Sequence, residues 1–395
     1  MDSGDTAWLM TSAALVLFMT PGLAFFYAGM VRSKNVLGML MQNIFAMGII
    51  SLIWATIGFS LAFGGDAPLL GNLDYAFMGD IASDEGMAFF AFQMMFAVIT
   101  PALITGATAD RLKFGSYAIF IAIWSVVVYS PVAHWVWDAG GWIFDMGAQD
   151  FAGGAAIHIN AGIAALVIVA VIGQRRGHGT EPMPPHNLPF TVLGTGILWF
   201  GWFGFNAGSA LAADGVAAQA LVNTHLAAAA GMIGWLVVEQ VKTGHPTVLG
   251  ACSGAVAGLV AITPCAGFVG EMSPIWIGLI AGVGCYFALQ AKELLRLDDS
   301  LDVIAVHLVG GLIGTVLLGF FGDSSISGAD GLFYGGGGEL LKDQVLAALG
   351  VMLFSGVLSY VIAVALDRTI GLRVDPDDEL VGLDQSQHAE SAYQA

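Results

Sequence analysis

Two histidines and two aspartates recur at one spacing. Asp150 precedes His158 by eight residues, and Asp299 precedes His307 by eight. His158 sits in Ala-Ala-Ile-His-Ile-Asn-Ala-Gly and His307 in Ile-Ala-Val-His-Leu-Val-Gly-Gly, where small residues let helices approach closely. Two neutral imidazoles brought together share one hydrogen bond and still offer a donor and an acceptor to a passing solute. The plain alternative is that each ring bonds a neighbouring helix; the paired spacing favours a shared site. His225 and His134 have no such counterpart and read as helix-packing or rim residues. Asp150 and Asp299 stand at the beginnings of helices, where a carboxylate caps free amides and meets the positive dipole end. Capping is the favoured reading of both, with substrate binding or proton relay the sharper alternative at Asp150.

Aromatic rings gather in three places: Phe92 and Phe96; Trp135, Trp137 and Trp142; and Trp199, Trp202, Phe203 and Phe205. Rings near span ends suit the interfacial belt, which accounts for Trp8 and Trp142. A ring facing the interior of a bundle holds a small cation on its π face instead, and composition leaves both readings open. Other chemistries are missing their residues. No lysine falls in the middle of a span, and no cluster of mid-span carboxylates suggests sodium coordination. No nucleotide loop, HExxH helix or GxSxG elbow occurs, so neither an enzyme nor a cofactor is indicated. Cys252, Cys265 and Cys285 lack CxxC spacing and suggest neither a disulfide framework nor a metal site.

The elements that position these groups are membrane spans. Of 395 residues 57% are apolar and 11% charged, against about a quarter charged in soluble domains. At ~20 apolar residues per span the chain has room for ten to twelve helices. Eleven runs read as spans: 7–31, 36–63, 87–109, 114–136, 152–173, 190–209, 219–241, 247–264, 274–291, 303–321 and 344–367. The first begins Met-Asp-Ser-Gly-Asp, without a basic leader, and reads as a true span. With alternating spans, eleven of the twelve Lys and Arg residues fall on one side and only Lys342 on the other. The basic side is expected in the cytoplasm, with the N-terminus outside and the C-terminus inside. Ala-Val-Ile-Thr-Pro (97–101) in span three is echoed by Val-Ala-Ile-Thr-Pro (260–264) in span eight, five spans on, like the Asp–His pairs. An odd offset turns the second copy upside down, a transporter pattern whose site lies between the repeats. The fold expected is therefore an all-α polytopic membrane protein of eleven helices. Two inverted five-helix repeats, about 7–173 and 190–321, are followed by a last helix at about 344–367. Residues 1–368 form the membrane domain and 369–395 a polar tail. The net charge of −18 excludes a nucleic-acid partner. Divided by side it is −15 outside and −3 inside, which either concentrates cations at an outer vestibule or reflects a saline habitat.

Taken together, Pro-Gly-Leu-Ala-Phe-Phe-Tyr-Ala-Gly-Met-Val-Arg-Ser-Lys-Asn (21–35), Asp-Phe-Ala-Gly-Gly-Ala-Ala-Ile-His-Ile-Asn (150–160), Trp-Phe-Gly-Trp-Phe-Gly-Phe-Asn-Ala-Gly-Ser (199–209), residues 250–264 and the His307 segment resemble the ammonium transporter family (Amt/Mep/Rh). The likeness covers essentially the whole chain and is to the microbial Amt branch. It implies an outer ammonium site at Trp137, Phe92 and Ser209, and a gate at Phe96 and Phe205. It also implies a twin-histidine pair at His158 and His307 beside Trp202, with Asp150 as structural support. Residues 138–149 depart from the Gly-Gly-Gly start common in the family. The resemblance further implies a homotrimer with one pore per subunit, an ordered regulatory tail, and a PII-type signalling partner at the cytoplasmic face.

The expected activity is ammonium transport at the plasma membrane. Ammonium binds outside and is deprotonated, and ammonia crosses beside the histidines with net charge transfer; methylammonium serves as an analogue. The rivals are a sensor with little flux, which in this family usually carries a further signalling domain, and a membrane enzyme or passive water or gas channel. By composition alone the tail reads equally as a solvated, disordered end.

Overall fold

A computed structural model describes residues 2–81 and 85–393; Met1, residues 82–84 and the last two residues of the 369–395 tail lie outside it. Among the described residues every regular element is helical, apart from one antiparallel bridge between Leu112 and Arg373. Ten helices among the described residues are long and apolar enough to cross a bilayer: Ser3–Met30, Ser33–Phe63, Gly86–Thr108, Phe114–Met146, Gly154–Ile172, Leu188–Ala207, Gly215–Thr243, Ser273–Lys292, Ile304–Phe321 and Glu339–Thr369. With the shorter Val248–Ile262 in eighth place they are the eleven spans of the sequence. The chain is a multi-pass membrane protein.

In spans one, two, seven and eleven the helix overruns the apolar run, because backbone hydrogen bonding propagates into polar residues that water solvates. Spans five and eight, at Gly154–Ile172 and Val248–Ile262, instead fall short of 152–173 and 247–264. Span eleven covers Glu339–Thr369 rather than 344–367, and span one begins at Ser3. There Asp2 Oδ1 accepts the Gly4 and Asp5 amides while the Asp5 carboxylate accepts the Asp2 amide, a reciprocal cap. Span four breaks after Trp137, where Asp138 Oδ1 accepts the Gly140 amide, and resumes at Trp142. The unusual Asp-Ala-Gly-Gly segment is thus a turn closed by its own side chain.

The loops themselves show the alternation. Arg32, Asp110, Arg175 and Asp298 follow spans one, three, five and nine, and they meet at one end of the bundle. Asp110 accepts from Arg32 Nε (2.9 Å) and from Asn35, while Asp298 pairs with Arg175 (2.7 Å). Arg111, fully buried, donates to the carbonyls of Gly173, Ala109 and Asp298 and to Ser300 Oγ. The tail closes over this basic face as two short helices, Pro376–Val381 and Leu383–His388. Glu379 accepts from the Arg176 amide and Arg373, and Asp384 Oδ1 accepts the Gly38 amide at the start of span two (2.8 Å). The tail is therefore ordered by hydrogen bonds, contrary to its composition. At the opposite, acidic face the His134 ring lies between the Ala62 and Ala67 carbonyls, and Asp5 Oδ1 accepts the Ala213 amide.

Glycines bring corresponding spans of the two repeats together. A Cβ on Gly22 of span one would meet the Ile197 side chain of span six at 2.6 Å. One on Gly162 of span five would meet the Leu308 backbone of span ten at 2.5 Å. With no hydrophobic drive between helices in lipid, such close backbone approach is what holds them. It sets the two histidine-bearing helices side by side.

Candidate functional site

Both histidines sit on wide, π-type turns, His158 in Gly154–Ile159 and His307 in Ile304–Val309. A wide turn leaves the backbone locally out of the regular ladder and is common at functional sites. At His158 the turn is built by Asp150, whose carboxylate accepts four amides, from Gly153, Gly154, Ala155 and Ala156 (2.6–3.0 Å). This is capping, as the sequence suggested, on a scale that leaves the carboxylate no free face. Asp299 is a poorer copy: its Oδ2 accepts the Ile304 amide (2.7 Å), while its buried Oδ1 has no partner among the described residues.

The two imidazoles meet Nδ1 to Nδ1 at 3.2 Å, with ring centroids 5.2 Å apart and planes 18° from parallel. One Nδ1 carries the shared proton and the other is bare, so at least one ring is neutral. The ring with the bare Nδ1 holds its proton on Nε2. His158 Nε2 is buried without a partner among the described residues. The rings line a cavity of about 20 Å³, room for about one water-sized molecule, otherwise walled by Leu23, Ile99, Leu198, Trp202 and Val306 among others. Trp202 stacks on His158 at 5.6 Å and is fixed by its Nε1 donating to Thr263 Oγ1 (2.9 Å).

A column of rings leads from this cavity toward the acidic face. Phe205 lies 6.2 Å from His158 and stacks on Phe96 at 4.3 Å and 24°. Phe96 in turn contacts Phe92 (4.7 Å) and the edge of Trp137 (6.0 Å). Phe96 and Phe205 are each 1% exposed, so the stack is a closed plug between two cavities. Beyond it a cavity of about 120 Å³ is lined by Phe92, Trp137 and Ser209, the three residues singled out as an outer site. Trp137 Nε1 donates to the Asp150 carbonyl (2.9 Å), so Asp150 fixes both the outer indole and the histidine turn. Ser209 Oγ donates to the Phe205 carbonyl (2.8 Å), which turns the oxygen's lone pairs free for another donor.

Trp137, Phe92, Ser209, Phe96, Phe205, Trp202, His158 and His307 fall along this one path; Asp150 and Asp299 line neither cavity and act on the turns that carry the histidines. His225 stands apart, beside Trp199 and Phe203 on an exposed helix face. His134 is packed against carbonyls as a rim residue. The outer cavity also takes in Phe89, Gln93, Phe151 and Leu211. Phe89, Phe92, Gln93 and Phe96 are one helical face, a spacing that was available in the sequence. Asp302 and Leu301, which close the far end of the histidine cavity, gave no such signal.

An eleven-span bundle with a ring-lined, closed path through its middle defines a membrane channel or transporter. The particular family is the ammonium transporters: the pattern of the Ammonium Transporter Family matches residues 7–393, and the chain belongs to it. A relative named ammonium transporter from Mycobacterium tuberculosis is 48% identical over 431 aligned positions, covering 99% of this chain and 90% of that protein. The crystal structure of Candida albicans Mep2 superposes with a TM-score of 0.91 at 34% identity, covering 96% of this chain and 88% of that one. A structure described as a sensor Amt protein gives 0.91 at 31% identity over 98% of each chain. Its relatives are transporters rather than enzymes.

Proposed function

We propose that the protein moves ammonium across the plasma membrane by carrying ammonia past His158 and His307. The acidic face is the outer one, and the C-terminus is cytoplasmic. The observation that carries the reading is the hydrogen-bonded imidazole pair in a largely apolar cavity, directly behind a stacked pair of phenyl rings. A charge at the centre of a bilayer costs about 3 kcal/mol even on the lenient insertion scale, and the one carboxylate on the cavity wall, Asp302 at its far end, is held by the Lys292 ammonium. A neutral ammonia molecule fits it in size and in hydrogen-bonding. The outer cavity supplies the charge-bearing step. Trp137 and Phe92 present π faces to the cation, and Ser209 Oγ accepts one of its N–H bonds in place of water. Deprotonation there leaves ammonia, which passes as Phe96 and Phe205 part and then exchanges hydrogen bonds with the two Nε2 positions. The proton follows through the imidazole pair, so that transport is electrogenic.

The subunits form a homotrimer with one pore each, and residues 369–395 are a regulatory tail that receives a PII-type signalling protein. Support for the tail's role is its position, tied at once to span two, the loop after span three and the loop after span five. A second reading, an ammonium sensor with little flux, draws on the full-length likeness to the sensor Amt structure. Labelled methylammonium uptake into liposomes holding the purified protein separates the two. Saturable uptake that ammonium suppresses is expected; binding of methylammonium without uptake would establish the sensor.

A further inference from the structure

The histidine cavity and a second, larger pocket of about 380 Å³ share two wall residues, Leu301 and Asp302. The second pocket opens on the basic face, so Asp302 stands where the path leaves the bundle. Its backbone is left-handed (φ 66°), an unusual state for a residue other than glycine, and its carboxylate is 15% exposed. A carboxylate at the mouth of a cation pathway is a cation site, but this one is already taken. The Lys292 ammonium, 17% exposed, donates to Asp302 Oδ1 and to the Asp299 carbonyl (2.9 Å).

We propose that the Lys292 ammonium is a built-in occupant of the inner cation position, and that it keeps cytoplasmic ammonium from occupying the inner end of the pathway at millimolar concentrations. A primary ammonium group and an ammonium ion carry the same charge and the same N–H donors. The carboxylate and carbonyl that hold Lys292 are the acceptors a cytoplasmic ammonium ion would seek. Tethered by its own side chain, the lysine competes at an effective concentration in the millimolar range or above, which free cytoplasmic ammonium does not match. An ammonia molecule that regains its proton in the inner pocket meets no free negative charge and departs. The two ends of the path thus differ in kind. The outer end attracts the cation with open ring faces, and the inner end is closed to it by a cation of the protein's own.

This rests on the transport reading above, and the test separates the two. The protein is placed in liposomes, vesicles exposing a tag on the tail are removed, and initial labelled methylammonium uptake is compared with the lumen empty or loaded with ammonium at matched pH. The native protein is expected to be indifferent to the load. Lys292→Met and Lys292→Gln keep uptake into empty vesicles but are slowed about tenfold by a millimolar load, the scale of losing the tethered competitor. Lys292→Arg restores indifference, and so does adding Asp302→Asn to Lys292→Met, which removes the vacated site. A Lys292→Met protein as indifferent as the native one overturns the proposal, as does one that inserts normally and transports nothing from outside. Native protein that takes up no methylammonium into empty vesicles overturns the transport reading and this proposal with it.

Discussion

Ser209 and Asp150 show how single side chains divide the work at the outer cavity. Ser209 spends its proton on the Phe205 carbonyl, which fixes the hydroxyl and presents lone pairs to the cavity. Ser209→Ala removes one acceptor worth about 1 kcal/mol, so the apparent methylammonium affinity falls about fivefold with maximal flux nearly unchanged. A concentration series of uptake measures this. Asp150 touches no part of either cavity wall; its work is to hold four amides and, through its carbonyl, Trp137. The Asp–His spacing was legible in the sequence because it occurs twice, and the two histidines it marked meet in one cavity while the two aspartates hold the turns before them. Lys292 and Asp302 were not legible. Their charges read as ordinary loop charges after span nine, and only the fold turns that loop back over the pore.

At the scale of helices, the histidine pair depends on glycines on the faces of spans five and ten. A methyl group on Gly162 would press on the Leu308 backbone, next to His307. Gly162→Ala should therefore force the helices apart at the pair, costing about 1–3 kcal/mol by overpacking and abolishing most uptake. Gly48→Ala in span two meets nothing within 4 Å and is the control, with uptake unchanged. Thermal midpoints and uptake rates of both variants, measured side by side, check this. Apolar runs and loop charges made the eleven spans readable, but helix ends were not, since they lie in water where hydropathy carries no signal. The echoed Thr-Pro pairs also diverge. Both hydroxyls bond back to the preceding turn, from Thr100 to Phe96 and from Thr263 to Leu259. Yet the helix runs on through Pro101 and stops before Pro264. In span eight Thr263 Oγ1 also accepts from Trp202 Nε1, a partner that a local sequence match cannot contain.

Over the whole molecule the two faces are stabilised differently, and the basic face is the tied one. Burial alone would raise the Asp298 pKa, but hydrogen bonds and charge from Arg175, with the nearby Arg111, bring it down to about 2. Burial draws Arg111 itself down to about 10, which leaves it charged at neutral pH. Because the folded Asp298 value lies below the unfolded ~3.9, its contribution to stability is complete above pH ~4 and disappears as pH falls toward 2. The difference in thermal midpoint between native protein and Asp298→Asn should accordingly stay level from pH ~8 to ~5 and shrink below ~4. The tail's order is the feature that composition misjudged. Its polar residues find partners only because the loops after spans one, three and five already form a charged floor.

The claim on which the account turns is that the imidazole pair conducts ammonia with its proton and refuses other cations. Its most direct test is the current across a protein-loaded bilayer on pulses of ammonium and of potassium, for native protein and for His158→Ala/His307→Ala. A transient current is expected with ammonium, none with potassium, and none of the ammonium current in the double variant. Selective ammonium flux of native size in the double variant, or native flux that carries no charge, would contradict the claim.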